Sequence, residues 1–216
     1  MNGAHDLGGM HGLGEIDRSC ETHFPHEWER QVFGLTLACG MLGKWNLDQS
    51  RFARENVDPE HYLQSSYYEH WLHGLECLLV EKGLILDQEL ASGRSEARTQ
   101  LNSVSAKNIQ RMLSKGGPTQ METNSAPRFS VGDRVVVKNF NPKSHTRAPR
   151  YIRGQSGIVH DHYGAHVFPD DHAANGEKVA VHLYSVRFDA KDLWGSGDAE
   201  PNSAVFVDVF ESYLMD

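Results

Sequence analysis

The sequence is short of cysteine, of long apolar runs and of surplus positive charge, and each shortage closes off a class of protein. Its three cysteines, Cys20, Cys39 and Cys77, are far apart and odd in number. That excludes a disulfide-stapled scaffold and supplies no Cys-x-x-Cys metal pair. Cys39 and Cys77 fall in helical patterns and read as buried thiols acting as small hydrophobes. No stretch of about 18 apolar residues occurs, so no membrane span is expected. The opening MNGAHDLGGMHGLGEI has neither a basic segment nor an apolar one, so it does not read as a secretory signal, and a cytoplasmic protein is expected. A formal net charge of -8 argues against the broad cationic surface that non-specific nucleic-acid binding needs.

What remains is ordinary globular composition, with 39% hydrophobic and 23% charged residues over 216 positions. That length suits one large domain or two small ones with a real core. The thirteen histidines are scattered and read mostly as surface or structural residues.

The chain has two textures. Residues 1–18 are glycine-rich without periodicity and predict an extended arm. In HEWERQVFGLTLACGML, Trp28, Val32, Leu35, Cys39 and Leu42 recur at helical spacing and predict one apolar helix face. Asn46 with Gln49 has the form of a capping box opening a short helix through Arg51 to about Glu55. Asp58-Pro59 offers another cap, and Ser66 with Glu69 opens the helix SSYYEHWLHGLECLLVEKG. There Trp71, Leu75, Leu78 and Leu79 form the apolar face and Gly83 is the terminator. Residues 93–127 turn polar and read as a linker with a short helix near 105–114. From Phe129 the period becomes two, in RFSVGDRVVVKN, SGIVHDHY, KVAVHLYSVRFDA and AVFVDVFESYL. The expected fold is therefore α+β: an arm and helical domain over 1–92, the linker over 93–127, and a small closed or nearly closed SH3-like β-barrel over 128–216.

One stretch stands out against the acidic background. KSHTRAPRYIRGQSGIV, residues 143–159, gathers Arg147, Arg150 and Arg153 with Lys143 and His145. Such a cluster suits an anion.

Phrases along nearly the whole chain resemble the nitrile hydratase β subunit. They are MNGAHDLGGMHGLG, YYEHWLHGLECLLVEKG, FSVGDRVVVKN, SHTRAPRYIRGQSG, GAHVFPDD, DLWG and VDVFESYL, in family order. The resemblance implies a hydro-lyase that is active only as a complex. In that family an α subunit holds a non-haem iron or non-corrin cobalt ion in a Cys-x-x-Cys-Ser-Cys loop, with two cysteines oxidised to sulfenic and sulfinic acid. The partner expected here is that α subunit, as an αβ heterodimer or an α2β2 heterotetramer, and the substrate is a small nitrile. HTRAPRY and YYEHWLH look more like the cobalt-type subunits than the iron-type ones.

The resemblance also implies site residues. Two β-subunit arginines donate to the oxidised cysteine oxygens, and the matching positions are Arg51 and Arg147. Tyr67, Tyr68, His70 and Trp71 match residues beside the substrate channel, and Leu47 and Ser50 are weaker pocket candidates. No metal ligand is expected on this chain. Each residue has a plainer reading: Arg51 as a solvated helix charge, Arg147 as loop decoration, Trp71 as core, and Arg150 and Arg153 as structural or rim residues. His5 and His11 in the arm suit surface or interface contacts better than metal capture.

Three alternatives compete. A thiocyanate hydrolase subunit is related, but there the β-like sequence is divided between subunits. A non-catalytic assembly protein would lack the barrel half. An RNA-binding barrel would be basic, whereas Asp170, Asp171, Asp189, Asp192, Asp198 and Glu200 dot this one.

Overall fold

The computed structural model describes residues 1–16, 18, 22–96 and 104–216. Cys20 and residues 97–103 of the expected linker lie outside them. Two compact units emerge, one of residues 3–5 and 13–117, the other of residues 1–2, 6–12 and 118–216.

The first unit is helical, and its helices start where local chemistry says they should. α1 (Glu27–Gly40) opens with the Glu29 carboxylate accepting the His26 N–H at 3.0 Å. α2 (Leu47–Glu55) opens on a reciprocal box, the Asn46 side chain accepting from Gln49 N–H at 2.9 Å and Gln49 from Asn46 N–H at 3.0 Å. The Asp58 carboxylate caps α3 (Pro59–Gln64), and Glu69 accepts the Ser66 N–H at 2.6 Å at the head of α4 (Tyr67–Glu81). Gly83 at φ 66° ends α4 in the left-handed turn that glycine tolerates best. Two short helices follow, α5 (Asp87–Ser92), which the sequence reading had not marked, and α6 (Ala106–Lys115).

Packing in this unit departs from the predicted faces. α1 buries Glu29, Val32 and Thr36, while Trp28 and Leu35 are exposed. The helical period was right but the buried face lies to one side of it. Cys77, expected inside, is exposed with its sulfur 3.5 Å from His73 Nε2. α4 buries Gly74, Leu75 and Leu78. Gly74 lets α2 approach, since a Cβ there would lie 2.6 Å from Arg54 Cγ.

The second unit is a six-stranded antiparallel sheet of β1 (Gln120–Met121), β2 (Arg134–Val137), β3 (Ser156–Val167), β4 (Ala180–Asp189), β5 (Ala204–Phe210) and β6 (Leu214–Met215). Strand order is β5-β4-β3-β2-β6, with β1 added to β3. Two register shifts between β3 and β4, after Val159 and after His162, bend the sheet as bulges do. Alternate residues Val135, Val137, Tyr184, Val186 and Phe188 point into one core with Ile152, Val159, Val209 and Leu214. Each such side chain contributes about 1.5–3 kcal/mol by leaving water. Of the closed or nearly closed barrel that was expected, closure is not seen: among the described residues β5 and β6 do not pair. The short helices α7 (Pro169–Asn175) and α8 (Ala190–Trp194) follow β3 and β4.

Candidate functional site

In the helical unit, the predicted α4 residues Tyr67, Tyr68 and Trp71 form a group of rings that α2 reaches through Arg54. Tyr67, Tyr68 and Trp71 have mutual centroid distances of 5.1, 5.9 and 5.9 Å. Phe24 and Phe33 extend the group, at 5.3 Å from Tyr68 and 5.8 Å from Trp71 respectively. Spacing by three and four residues puts Trp71 one turn along α4 from Tyr68 and Tyr67. Tyr67 is exposed, whereas Tyr68 and Trp71 are half-buried. Burial, with Tyr67 and Glu29 nearby, raises the Tyr68 phenol above its ordinary value.

Arg54, which sequence reasoning passed over, joins the two helices. Its guanidinium carbon lies 3.8 Å from the Trp71 ring centre, and its Nη2 donates to the Ser50 hydroxyl at 3.0 Å. Burial lowers the Arg54 pKa from its usual value, with Tyr67 and Glu55 opposing and Arg51 assisting. Ser50 is thus buried and occupied, while Leu47 at the head of α2 is exposed.

Arg51 points into different surroundings. Its Nη1 donates to Asp48 at 2.8 Å, and its side chain is half-exposed beside the nearly buried carboxylate. A guanidinium has five N–H donors, so one carboxylate fixes the fork while leaving donors to offer. His70 Nε2 lies 2.8 Å from the Tyr62 carbonyl oxygen and must donate to it, and its ring stacks on Tyr62 at 4.0 Å. Only Nδ1 of His70 is left for another partner.

Arg147 belongs to the sheet unit. Its neighbours His145, Thr146 and Ala148 are buried, yet its own side chain is exposed and, among the described residues, has no hydrogen-bond or ion-pair partner. The backbone is held instead. Arg147 N–H donates to the Tyr213 hydroxyl at 3.2 Å, and that hydroxyl donates to Asp170. Burial, then the Asp170 carboxylate, pushes the Tyr213 phenol well above its ordinary value, so it stays a donor. Arg150 and Arg153 are already engaged, by Asp6 and by backbone carbonyls. The cationic stretch therefore contains one free fork on a fixed loop.

The family model described as nitrile hydratase beta subunit, N-terminal, matches residues 1–124, and its C-terminal counterpart matches 118–216. The chain belongs to the nitrile hydratase β-subunit family. It is 38% identical over 226 residues to the low-molecular weight cobalt-containing nitrile hydratase subunit beta of Rhodococcus rhodochrous, covering 100% of this chain and 99% of that one. The nitrile hydratase subunit beta of Pseudomonas putida is 38% identical over 225 residues, with 99% of each chain covered. The cobalt-containing nitrile hydratase subunit beta of Pseudonocardia thermophila is 36% identical over 99% of this chain and 96% of its own. Thiocyanate hydrolase subunit alpha of Thiobacillus thioparus is 36% identical over 89 residues, which is 40% of this chain and 70% of that protein.

Set within the nitrile hydratase β-subunit family, the residues missed in the sequence are those that support others. Asp48 was legible as a carboxylate three residues before Arg51 on one helix. Arg54, Phe24 and Phe33 carried no local signal, and Tyr213 and Asp170 are remote in sequence from the loop they hold.

Proposed function

We propose that this chain works as the β subunit of a nitrile hydratase, with an α subunit that carries a cobalt ion, and hydrates a small nitrile to the amide. The observation that carries the reading is the match along the full chain, where relatives named as nitrile hydratase β subunits align from end to end. Thiocyanate hydrolase, the second reading, is supported by alignment over only 40% of the chain. Among the described residues no group of three or more His, Cys, Asp or Glu could hold a metal, and no helix is long and apolar enough to cross a membrane. We assign the chain to the cytoplasm, in an αβ pair or its α2β2 dimer, with the C-terminal sheet curled as a nearly closed SH3-like barrel.

The metal, when bound on the α subunit, supplies Lewis acidity toward nitrile and water. This chain's residues act around it. Arg147 offers an unpartnered planar fork from a fixed loop, and Arg51 offers the donors that Asp48 leaves over. Both fit oxygen anions on oxidised cysteines, because charge-assisted bonds are about twice as strong as neutral ones in a dry interface. Such bonds also restrain an oxidised thiol from further redox change. Tyr67, Tyr68 and Trp71 form an apolar wall with polar tips along which a nitrile is oriented, and Leu47, Ser50 and His70 are assigned to the same channel.

Co-expression with a Cys-x-x-Cys-Ser-Cys α subunit and assay for amide formation tests the reading. Amide from a nitrile is expected. Hydrolysis of thiocyanate by the same complex, with nitriles untouched, would move the assignment to the second reading.

A further inference from the structure

Arg153 is a buried cation whose fork ties the chain beside Arg147 to Phe140 and to the N-terminal arm. Its Nη2 and Nε donate to the Ala148 carbonyl at 2.8 and 3.0 Å, and its Nη1 donates to the Phe140 carbonyl at 3.1 Å and to Asn2. Burial pulls its pKa down, and the Asp6 carboxylate opposes that shift. Asp6 is itself nearly buried, 3.9 Å from Arg153 Nη2. It also accepts the backbone N–H of Arg150 at 2.8 Å, while its own carbonyl accepts from Arg150 Nη2 at 2.7 Å.

The backbone polar groups flanking Arg147 are therefore held at three points. Its N–H is held by Tyr213, the next carbonyl by Arg153, and the Arg150 N–H by Asp6. Pro149, with φ -65°, removes freedom between the last two. One of these holders, Asp6, comes from the glycine-rich arm, and so does Asn2, which accepts from Arg153 Nη1. We propose that Asp6, acting with Arg153 and Asn2, is a positioning residue for Arg147: the N-terminal arm is a splint that sets where that guanidinium stands. This rests on the reading of Arg147 as a donor to the partner's oxidised cysteines. It gives the arm a role in turnover beyond filling an interface.

The test uses the assembled αβ complex, with turnover expressed per bound metal. Asp6→Asn keeps the shape but removes the charge that compensates Arg153. Amide hydrogen exchange over 145–150 should rise about tenfold while β4 stays protected, as expected when one local unit loosens. Because small misplacement of a catalytic group is costly, kcat should fall about tenfold with KM changed less than about twofold. Asp6→Glu should recover part of the loss. Asn2→Ala, a milder cut at the same clamp, should move exchange and kcat in the same direction and serves where Asp6→Asn does not assemble. Unchanged exchange over 145–150 would overturn the proposal, whatever Arg147→Lys does. So would raised exchange with unchanged kcat when Arg147→Lys is crippled. If exchange rises and neither Asp6→Asn nor Arg147→Lys affects kcat, it is the reading of Arg147 that fails, and the splint has nothing to position.

Discussion

The guanidinium of Arg54 lies face-on to the indole of Trp71, 3.8 Å from its centre, and holds the ring from the α2 side. Phe33, Tyr67 and Tyr68 contact the same ring. Trp71 is thus a packing element as well as the proposed channel wall, and the two roles separate by substitution. Trp71→Ala should cost about 2 kcal/mol, below the range for fully buried aromatics because the ring is half-exposed. It should also raise KM and change nitrile preference in the fraction that folds. Trp71→Phe should keep most of the stability and show the kinetic change alone. Denaturant midpoints and a small nitrile panel measure the two effects, and unchanged kinetics in both variants would make Trp71 a core residue only.

Alkaline pH should weaken the sheet unit through two tyrosines. Burial, then Glu211, pushes Tyr184 up to about 12, and Tyr213 is shifted in the same direction by burial and Asp170. Above pH 10 the unfolded chain releases phenolic protons that the folded chain keeps. Their stabilisation is therefore complete below about pH 10 and is lost as pH rises through the folded values. The urea midpoint should fall between about pH 10 and about pH 12, and Tyr184→Phe should flatten that fall. Asp170 has the same sign at the acid end. Burial raises its pKa, so its contribution is largest below the ordinary value of 3.8 and is lost as pH rises through the folded one.

What was legible in the sequence was local. The boxes at Asn46/Gln49 and Ser66/Glu69, the Asp58-Pro59 cap and the Gly83 terminator all involve residues within one turn, and each has the expected geometry. The α1 periodicity was legible too, but a period shows that an apolar stripe exists and not which surface covers it. Here α1 buries the face of Glu29, Val32 and Thr36, and the Trp28–Leu35 stripe is left outside. Strand alternation likewise located β2 to β5 but carries no information on whether the outermost strands pair. The Tyr213 contact with Arg147 spans 66 residues of chain and had no local signature.

That outer stripe leads to a prediction about assembly. Leu35 is 54% exposed, Leu13 60% and Ile16 85%, which is costly surface for a free chain. The pair with the α subunit should bury well over roughly 2,000 Å², the range of obligate interfaces. Leu35→Glu should weaken association about tenfold or more while leaving the isolated chain's fold intact, because a charge would have to be buried in the complex but not in the monomer. Sedimentation of the variant with its partner reads this. Expressed alone, the chain should bind no stoichiometric cobalt or iron, which metal analysis checks.

The last prediction concerns the two arginines assigned to the partner's oxidised cysteines. Lysine keeps the charge but loses the planar fork, so Arg→Lys is a real change wherever two donors must meet oxygens in fixed directions. At Arg51 the fork is already steadied by Asp48, which a lysine could also meet, so the charge pair would survive and only the outward donors would be lost. At Arg147 nothing else on this chain engages the guanidinium among the described residues, so the variant should fold and assemble normally. Breaking a buried ionic contact typically costs several kcal/mol, and even part of that in the transition state is a tenfold effect per about 1.4 kcal/mol. Arg147→Lys and Arg51→Lys should therefore cut turnover at least about tenfold with the complex largely intact. Arg150→Lys should be milder, because its guanidinium meets Asp6 at the exposed end of the clamp and its backbone N–H is untouched. Equal losses at all three positions would indicate a general electrostatic patch. A fully active Arg147→Lys complex with normally oxidised α-subunit cysteines would remove Arg147 from the site.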